Sequence, residues 1–227
     1  KFFPEGGNLV KGVPSQVAFE ATDAYGNPIT LFGRIINRRK EEIGHFATIH
    51  EGRGVFTYIP TGEDADKAEV ELGGKKYRFD LPEVRSQGYV LHVDNLTSED
   101  SIAVSVQKNT YTPSNLLGLA VIAHGKLLNS CLLNVGKNTP VSFKLDKSEW
   151  TPGVVQLVLF DTAGQIIADR LVFTRKPELL VVDVRKSKES YQPFERVTLD
   201  FSVRDTTGNP VSTPMSVSIR DGWEEVE

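Results

Sequence analysis

The stretch "ERVTLDFSVRD" at 195–205 puts Val197, Leu199, Phe201 and Val203 on one face of an extended chain. Arg196, Thr198, Asp200, Ser202 and Arg204 fall on the other. A side-chain period of two gathers apolar groups on one face only if the segment is a strand; a helix would scatter them around its axis. The pattern recurs in "SQVAFEATD" (15–23), "GVFTYIP" (54–60), "YVLHVDNL" (89–96), "SIAVSVQK" (101–108) and "ELLVVDVRK" (178–186). The nearest approach to a helix is "SNLLGLAVIAHGKLL" (114–128). Gly118 and Gly125 interrupt it, and its valine–isoleucine centre suits a buried strand. The chain reads as all-β, a set of half-buried antiparallel strands.

Three apolar strand-like runs end in the same punctuation: "DAYGNPI" (23–29), "DTAGQII" (161–167) and "DTTGNPV" (205–211). A carboxylate at Asp23, Asp161 or Asp205 can accept backbone N–H groups one to three residues on and so start a turn. Gly26, Gly164 and Gly208 can take the positive φ that other residues resist. The aliphatic residue that follows opens the returning strand, which makes each copy a hairpin signature. The same aspartates could be read as calcium ligands, but one carboxylate per turn falls short of the six to eight oxygens that a hard cation takes.

The copies lie at irregular intervals, so they mark similar modules rather than a tight solenoid. Breaks at "DLPEVRSQG" (80–88) and "TRKPELL" (174–180) divide the 227 residues into units at 1–84, 85–176 and 177–227. The first two approach the size of an immunoglobulin-like sandwich, roughly 100 residues. The third is about half of one, and is expected to be incomplete or to have its open edge covered by a neighbour. Because the chain opens at Lys1 inside a strand-like stretch, we expect a piece of a larger protein. Membrane attachment would then come only through regions outside it.

The formal charge is −4, spread along the chain, and nucleic acid binding would need a concentrated basic face. The basic cluster in "NRRKEE" (37–42) is followed at once by two glutamates and reads as a solvated hairpin tip. A single cysteine, Cys131, excludes an internal disulfide; between apolar neighbours it reads as a small buried side chain.

The opening "FFPEGGNLVKGVPSQVAFEATDAYGNPI" resembles the macroglobulin-like (MG2-type) modules of large envelope proteins in Bacteroidetes, related to the alpha-2-macroglobulin family. The likeness rests on Phe3, Pro4, Glu5, Gly6 and Gly7, then on Val17 and Phe19, then on Gly26 and Pro28. It continues in "FATIHEGRGVFTYIP" (46–60), through His50, Gly52, Gly54 and Phe56. "ADRLVFTRK" (168–176) resembles the close of a second module, and "YQPFERVTLDFSVRDTTGNPVSTPMSVSIRD" (191–221) the start of a third. The resemblance implies tandem immunoglobulin-like β-sandwiches acting as scaffold or binding modules in the cell envelope, periplasmic or on the outer surface. Their partners would be other domains of the same parent chain and a further protein. The Cys-Gly-Glu-Gln thioester motif of some alpha-2-macroglobulins is absent, since "LLN" follows Cys131, so thioester trapping is not carried over.

No residue pattern marks a catalytic, cofactor or metal site. His45 and His50 are five apart, which puts them on opposite faces of a strand; His92 and His124 read as strand and hairpin residues. "HEGRGVF" (50–56) offers His50 and Arg53 as a small anion-binding or interface loop, but without a following helix or a Lys-Ser/Thr pair. Trp150 in "SEWTPG" and Trp223 in "DGWEEVE" could stack on a sugar if exposed, and otherwise cover a joint between modules. The expectation is therefore a non-catalytic structural and protein-interaction segment, without cofactor. A carbohydrate-binding accessory module is the alternative. An enzyme site assembled between modules is supported only by the abundance of carboxylates.

Overall fold

Phe2, Phe19, Phe46 and Phe56 meet at ring-centroid distances of 5.0–6.3 Å, and the first sandwich is built around them. The computed structural model describes all residues except 63–65, 138, 176–179 and 220–227. Strands occupy 54% of the chain and helix 1%, so the fold is all-β. It divides into two units, Lys1–Thr174 and Arg175–Glu227.

The first sandwich uses β1 (Phe2–Pro4), β2 (Leu9–Val10), β3 (Ser15–Glu20), β4 (Phe32–Ile36), β5 (Glu42–Ala47), β6 (Arg53–Tyr58), β7 (Lys67–Leu72), β8 (Lys75–Asp80) and β9 (Val84–Arg85). One sheet has the order β1-β3-β6 and the facing sheet β5-β4-β7-β8, all antiparallel. Val17, Phe19, Ile35, Phe56, Ala68 and Val70 fill the space between them. The face of the four-stranded sheet turned away from this core carries a charge ladder. Glu69, almost fully buried, accepts from Arg34 (Nε 3.0 Å, Nη2 2.6 Å) and from Arg78 (Nε 2.8 Å).

The second sandwich follows with β10 (Tyr89–Asp94), β11 (Ser101–Lys108), β12 (Leu116–Ala123), β13 (Lys126–Asn134), β14 (Val141–Asp146), β15 (Gly153–Phe160) and β16 (Ile166–Thr174). Sheet β10-β11-β14 packs on sheet β13-β12-β15-β16 around Leu91, Ile102, Val104, Leu119, Leu157 and Leu159. The helix-like stretch 114–128 is thus a hairpin, and its turn is His124-Gly125, both at positive φ (49° and 74°), the combination of a type I′ turn. Gly118 has a packing role. A Cβ there would lie 2.2 Å from the Phe160 ring of the paired strand, and Gly33 under Phe46 and Gly54 under Phe19 repeat the arrangement.

In the second unit β17 (Leu180–Lys186) pairs with β18 (Leu199–Asp205). The alternation that begins at 195 outruns the strand. Residues 195–198 stay outside it, after a turn in which Glu195 N–H donates to the Gln192 carbonyl, 3.0 Å. Val182 and Val184 leave half their surface in water.

All three Asp-x-x-Gly stretches form one structure, a type I turn closed by a residue at positive φ. Asp23 Oδ1 accepts the N–H groups of Tyr25 (2.8 Å) and Asn27 (2.9 Å). Asp161 Oδ1 accepts those of Ala163 (2.8 Å) and Gln165 (2.9 Å), and Asp205 Oδ1 those of Thr207 and Asn209 (both 2.9 Å). The carboxylate therefore reaches four residues ahead, one farther than the sequence expectation. Gly26, Gly164 and Gly208 have φ of 93°, 80° and 90°. A fourth copy stands in "NRRKE". Asn37 Oδ1 accepts from Arg39 (2.9 Å) and Glu41 (3.0 Å), and Lys40 takes the glycine position at φ 63°.

Candidate functional site

The residues that hold the two sandwiches of the first unit together come from the opening Pro4-Glu5-Gly6-Gly7. Glu5–Gly7 is a single 3-10 turn that leaves β1 and crosses to the second sandwich. Two positive-φ glycines, Gly6 (70°) and Gly7 (86°), let it turn this sharply. Gly6 is also hemmed in, since a Cβ would stand 3.3 Å from the Leu91 carbonyl and 3.4 Å from the Ala168 Cβ.

The Glu5 side chain is only 7% exposed. Its Oε1 accepts the backbone N–H of Val93 and Arg170 Nε, both at 3.1 Å, and its Oε2 lies 2.6 Å from His92 Nδ1. Charge-assisted bonds of this kind are the stronger class, and a buried carboxylate requires them. Asn8 Nδ2 adds a bond to the Ile167 carbonyl, 3.0 Å.

A second clamp lies alongside. Within the first sandwich β2 pairs in parallel with β9 and Lys11 N–H donates to the Arg85 carbonyl, 2.9 Å, which fixes Lys11 as an acceptor for the second sandwich. Asn109, buried, donates from Nδ2 to the carbonyls of Ser86 (2.7 Å) and Lys11 (3.2 Å). Thr112 Oγ1 exchanges bonds with the backbone of Gly88. Val10, Val13 and Val90 plug the space between the clamps. The loop that carries Asn109 and Thr112 is itself held by Lys108, fully buried, which donates to the carbonyls of Thr112 (2.8 Å) and Ser114 (2.9 Å) and to Asn115 Oδ1.

Beside the joint runs a shallow groove of about 250 Å³, lined by Pro14, Ser15, Thr57, His92, Ser105 and Gln107 among others. A carboxylate-oriented imidazole beside serines has the makings of an acid–base device. Ser105 stands opposite His92 across the strand pair, yet its hydroxyl accepts from Ser142 Oγ, 3.1 Å. Glu5 meanwhile is shared with Arg170 and the Val93 amide. What this arrangement does is fasten one sandwich to the other.

Among solved structures, the chain is similar to the native conformation of Escherichia coli alpha-2-macroglobulin, with 14% identity and a TM-score of 0.28. The match covers 92% of this chain and 17% of that one. No protein-family model and no curated protein matches.

The residues singled out from sequence fall elsewhere. Trp150 is 7% exposed and belongs to the core of the second sandwich, so the exposure that stacking on a sugar would need is not met. Trp223 lies outside the described residues. His50 and Arg53 flank a type I′ turn made by Glu51 (φ 44°) and Gly52 (φ 71°). Arg53 pairs with Glu20 at 3.2 Å, and His50 is 80% exposed, 3.6 Å from Glu51. Asp23, Asp161 and Asp205 spend Oδ1 on their own turns. Cys131 packs against the second core, where burial pushes its thiol pKa up. Among the described residues no group of three or more His, Cys, Asp or Glu side chains is gathered as for a metal ion, and no helix is long and apolar enough to cross a membrane.

In the sequence Glu5, Gly6 and Gly7 stand out only through the macroglobulin-like resemblance, and His92 reads as a strand residue. A charged residue between two apolar stretches and two glycines was the only local signal at Glu5. Its partners lie 87 and 165 positions away, beyond any local pattern.

Proposed function

We propose that the chain is a non-catalytic structural and protein-interaction segment of a larger bacterial cell-envelope protein, with its first two sandwiches acting as a stiff pair. The observation that carries this reading is the Glu5 joint: a buried carboxylate with three partners, flanked by the Asn109–Lys11 bond and an apolar plug. Inter-domain motion is the ordinary expectation when an interface is small and wet. Charged bonds to a buried carboxylate on one side and the Asn109 bond to the Lys11 carbonyl on the other resist both bending and twisting.

The MG2-type reading gains support from the same residues, because the family-like stretch Pro4–Gly7 is the one that builds the joint. Placement in the periplasm or on the outer surface follows from that resemblance. Neighbouring domains of the parent chain and a further protein are the partners it implies, with no nucleic acid. Membrane contact would fall to other regions of the parent.

Spin labels on Lys76→Cys and Lys144→Cys in a Cys131→Ser background would report the distance between the sandwiches by pulsed electron resonance. A narrow distribution that broadens in Glu5→Ala is the expected result. A broad distribution without that substitution would sink the spacer reading. Turnover of any hydrolase substrate that His92→Gln abolishes would sink the non-catalytic one.

A further inference from the structure

The outward faces of the two four-stranded sheets are built in opposite ways. On β5-β4-β7-β8 that face carries Arg34, Glu69 and Arg78, joined in a ladder. On β13-β12-β15-β16 the side chains turned away from the core include Leu116, Leu127, Leu132, Ile166, Leu171 and Phe173, which are 44–75% exposed. An antiparallel sheet with one wet face normally alternates apolar-in with polar-out. Here most outward positions are apolar as well, with Ser130, Asn134, Gln156 and Asp169 as the polar exceptions.

We propose that this outer face packs against the same face of a second copy of the chain. The inference rests on the interaction-module reading above and names its partner. Two observations select a second copy. The first is area. The exposed surface of these residues and Val154 is on the order of 800 Å², about what each partner gives to a standard-size interface and well above a scattered surface leucine.

The second is charge. The strand registers leave Asp169 as the charged side chain among the outward positions of β12, β13, β15 and β16, and Gln156 Nε2 already donates to its Oδ2, 3.1 Å. A face so nearly neutral carries nothing that repels its own copy, whereas a partner recognised by charge would find no pattern to read. The residues also pair with themselves. A two-fold axis along the strands lays β16 of one copy over β13 of the other. Ile166 then meets Leu132, Leu171 meets Leu127, and Asp169 meets Ser130 rather than another Asp169. Two twisted sheets stacked this way form the aligned packing of a sandwich interior.

Analytical ultracentrifugation of the 227-residue chain up to roughly 100 µM tests the proposal, since a Kd of about 10 µM gives mostly dimer there. A discrete monomer–dimer equilibrium is expected. Leu132→Lys and Leu171→Lys should each weaken it by about tenfold or more. Both sites are solvent-exposed in the single chain, so the thermal midpoint of the monomer should hold. Lys76→Glu, on the other sandwich, should leave the dimer intact. A monomer at the highest concentration, polydisperse aggregates, a dimer indifferent to both lysines, or a monomer that instead floats with phospholipid vesicles or binds a different protein through this face would each overturn it. A rigid monomer in the spin-label experiment would remove self-association and leave the spacer reading standing; a dimer with a loose joint would do the reverse.

Discussion

Glu5 Oε2 lies 2.6 Å from His92 Nδ1, tying the first strand's exit to a strand 87 residues later. Replacing Glu5 with alanine takes the acceptor from the N–H of buried Val93 and releases His92 and Arg170, both partly exposed and able to rehydrate. The expected loss is about 1–3 kcal/mol, dominated by the amide. Glu5→Gln keeps an acceptor for Val93 and should lose less. Hydrogen exchange at the Val93 amide and urea unfolding read the two effects. Unchanged exchange in Glu5→Ala would shift the weight of the joint to Val10, Val13 and Val90.

Lys40 occupies at φ 63° the position that glycine holds in the three sister turns. A residue with a Cβ pays for that conformation in steric contact with its own carbonyl, on the order of 1 kcal/mol. Lys40→Gly should therefore stabilise the first sandwich by up to about 1 kcal/mol, less what glycine's greater unfolded-state freedom takes back. Gly164→Ala should destabilise by a similar amount. A Cβ at Gly164 meets nothing within 4 Å, so its cost is conformational only. Urea denaturation of both variants checks the pair. A Lys40→Gly protein clearly less stable than its parent would contradict the assignment.

The Asp205 carboxyl is held at about 2, below its ordinary 3.8, by the Thr207 side chain first and then by the Asn209 N–H. A carboxyl with a depressed pKa in the folded state gives stability that is present above the unfolded value. That contribution fades as pH falls from about 4 towards 2. The β18 hairpin should therefore loosen in that window. Carboxyl carbon shifts should show Asp205 titrating near 2, and Asp94, held down by the Thr97 side chain first and then by the N–H groups of Leu96 and Thr97, should follow it at about 2. Asp205→Asn keeps an oxygen acceptor and removes the titration. A hairpin in that variant that still loosens over the same window would place the acid sensitivity elsewhere.

What the sequence made legible and what it hid differ in range. The Asp23, Asp161 and Asp205 turns are legible because donor and acceptor lie within four residues of each other, so the physics is complete in a short window. Lys40 escapes because the motif was read through glycine, while the carboxamide of Asn37 does the same work. Strands are legible through their alternation. That same alternation overruns at 195–198, where pairing, which sequence does not display, decides the end. Trp150 is not legible because a tryptophan in "SEWTPG" suits a sugar platform or a cover for a joint, and only the packing shows it inside the second core. The joint is hidden for the opposite reason to the turns: Glu5 meets Arg170 across 165 residues.

Lys108 shows how far such long-range dependence extends. Its ammonium is fully buried and satisfied by three uncharged oxygens, those of Thr112, Ser114 and Asn115. Lys108→Met fits the apolar stem of the site but leaves those oxygens unpaired in a dry loop, at a cost of about 2–4 kcal/mol. The same loop presents Asn109 to Lys11 and Ser86, and Thr112 to Gly88, so relaxing it slackens the second clamp of the joint. Glu5→Ala acts on the first clamp. Two clamps that hold one interface in series of contacts should not lose stability independently. Once either is gone, the other has less left to protect. The double variant should therefore be less destabilised than the sum of the singles, by about 0.5–1 kcal/mol in a double-mutant cycle. Strict additivity would mean that the Lys108 loop stabilises the second sandwich alone, and that Asn109 contributes nothing to how the first is held.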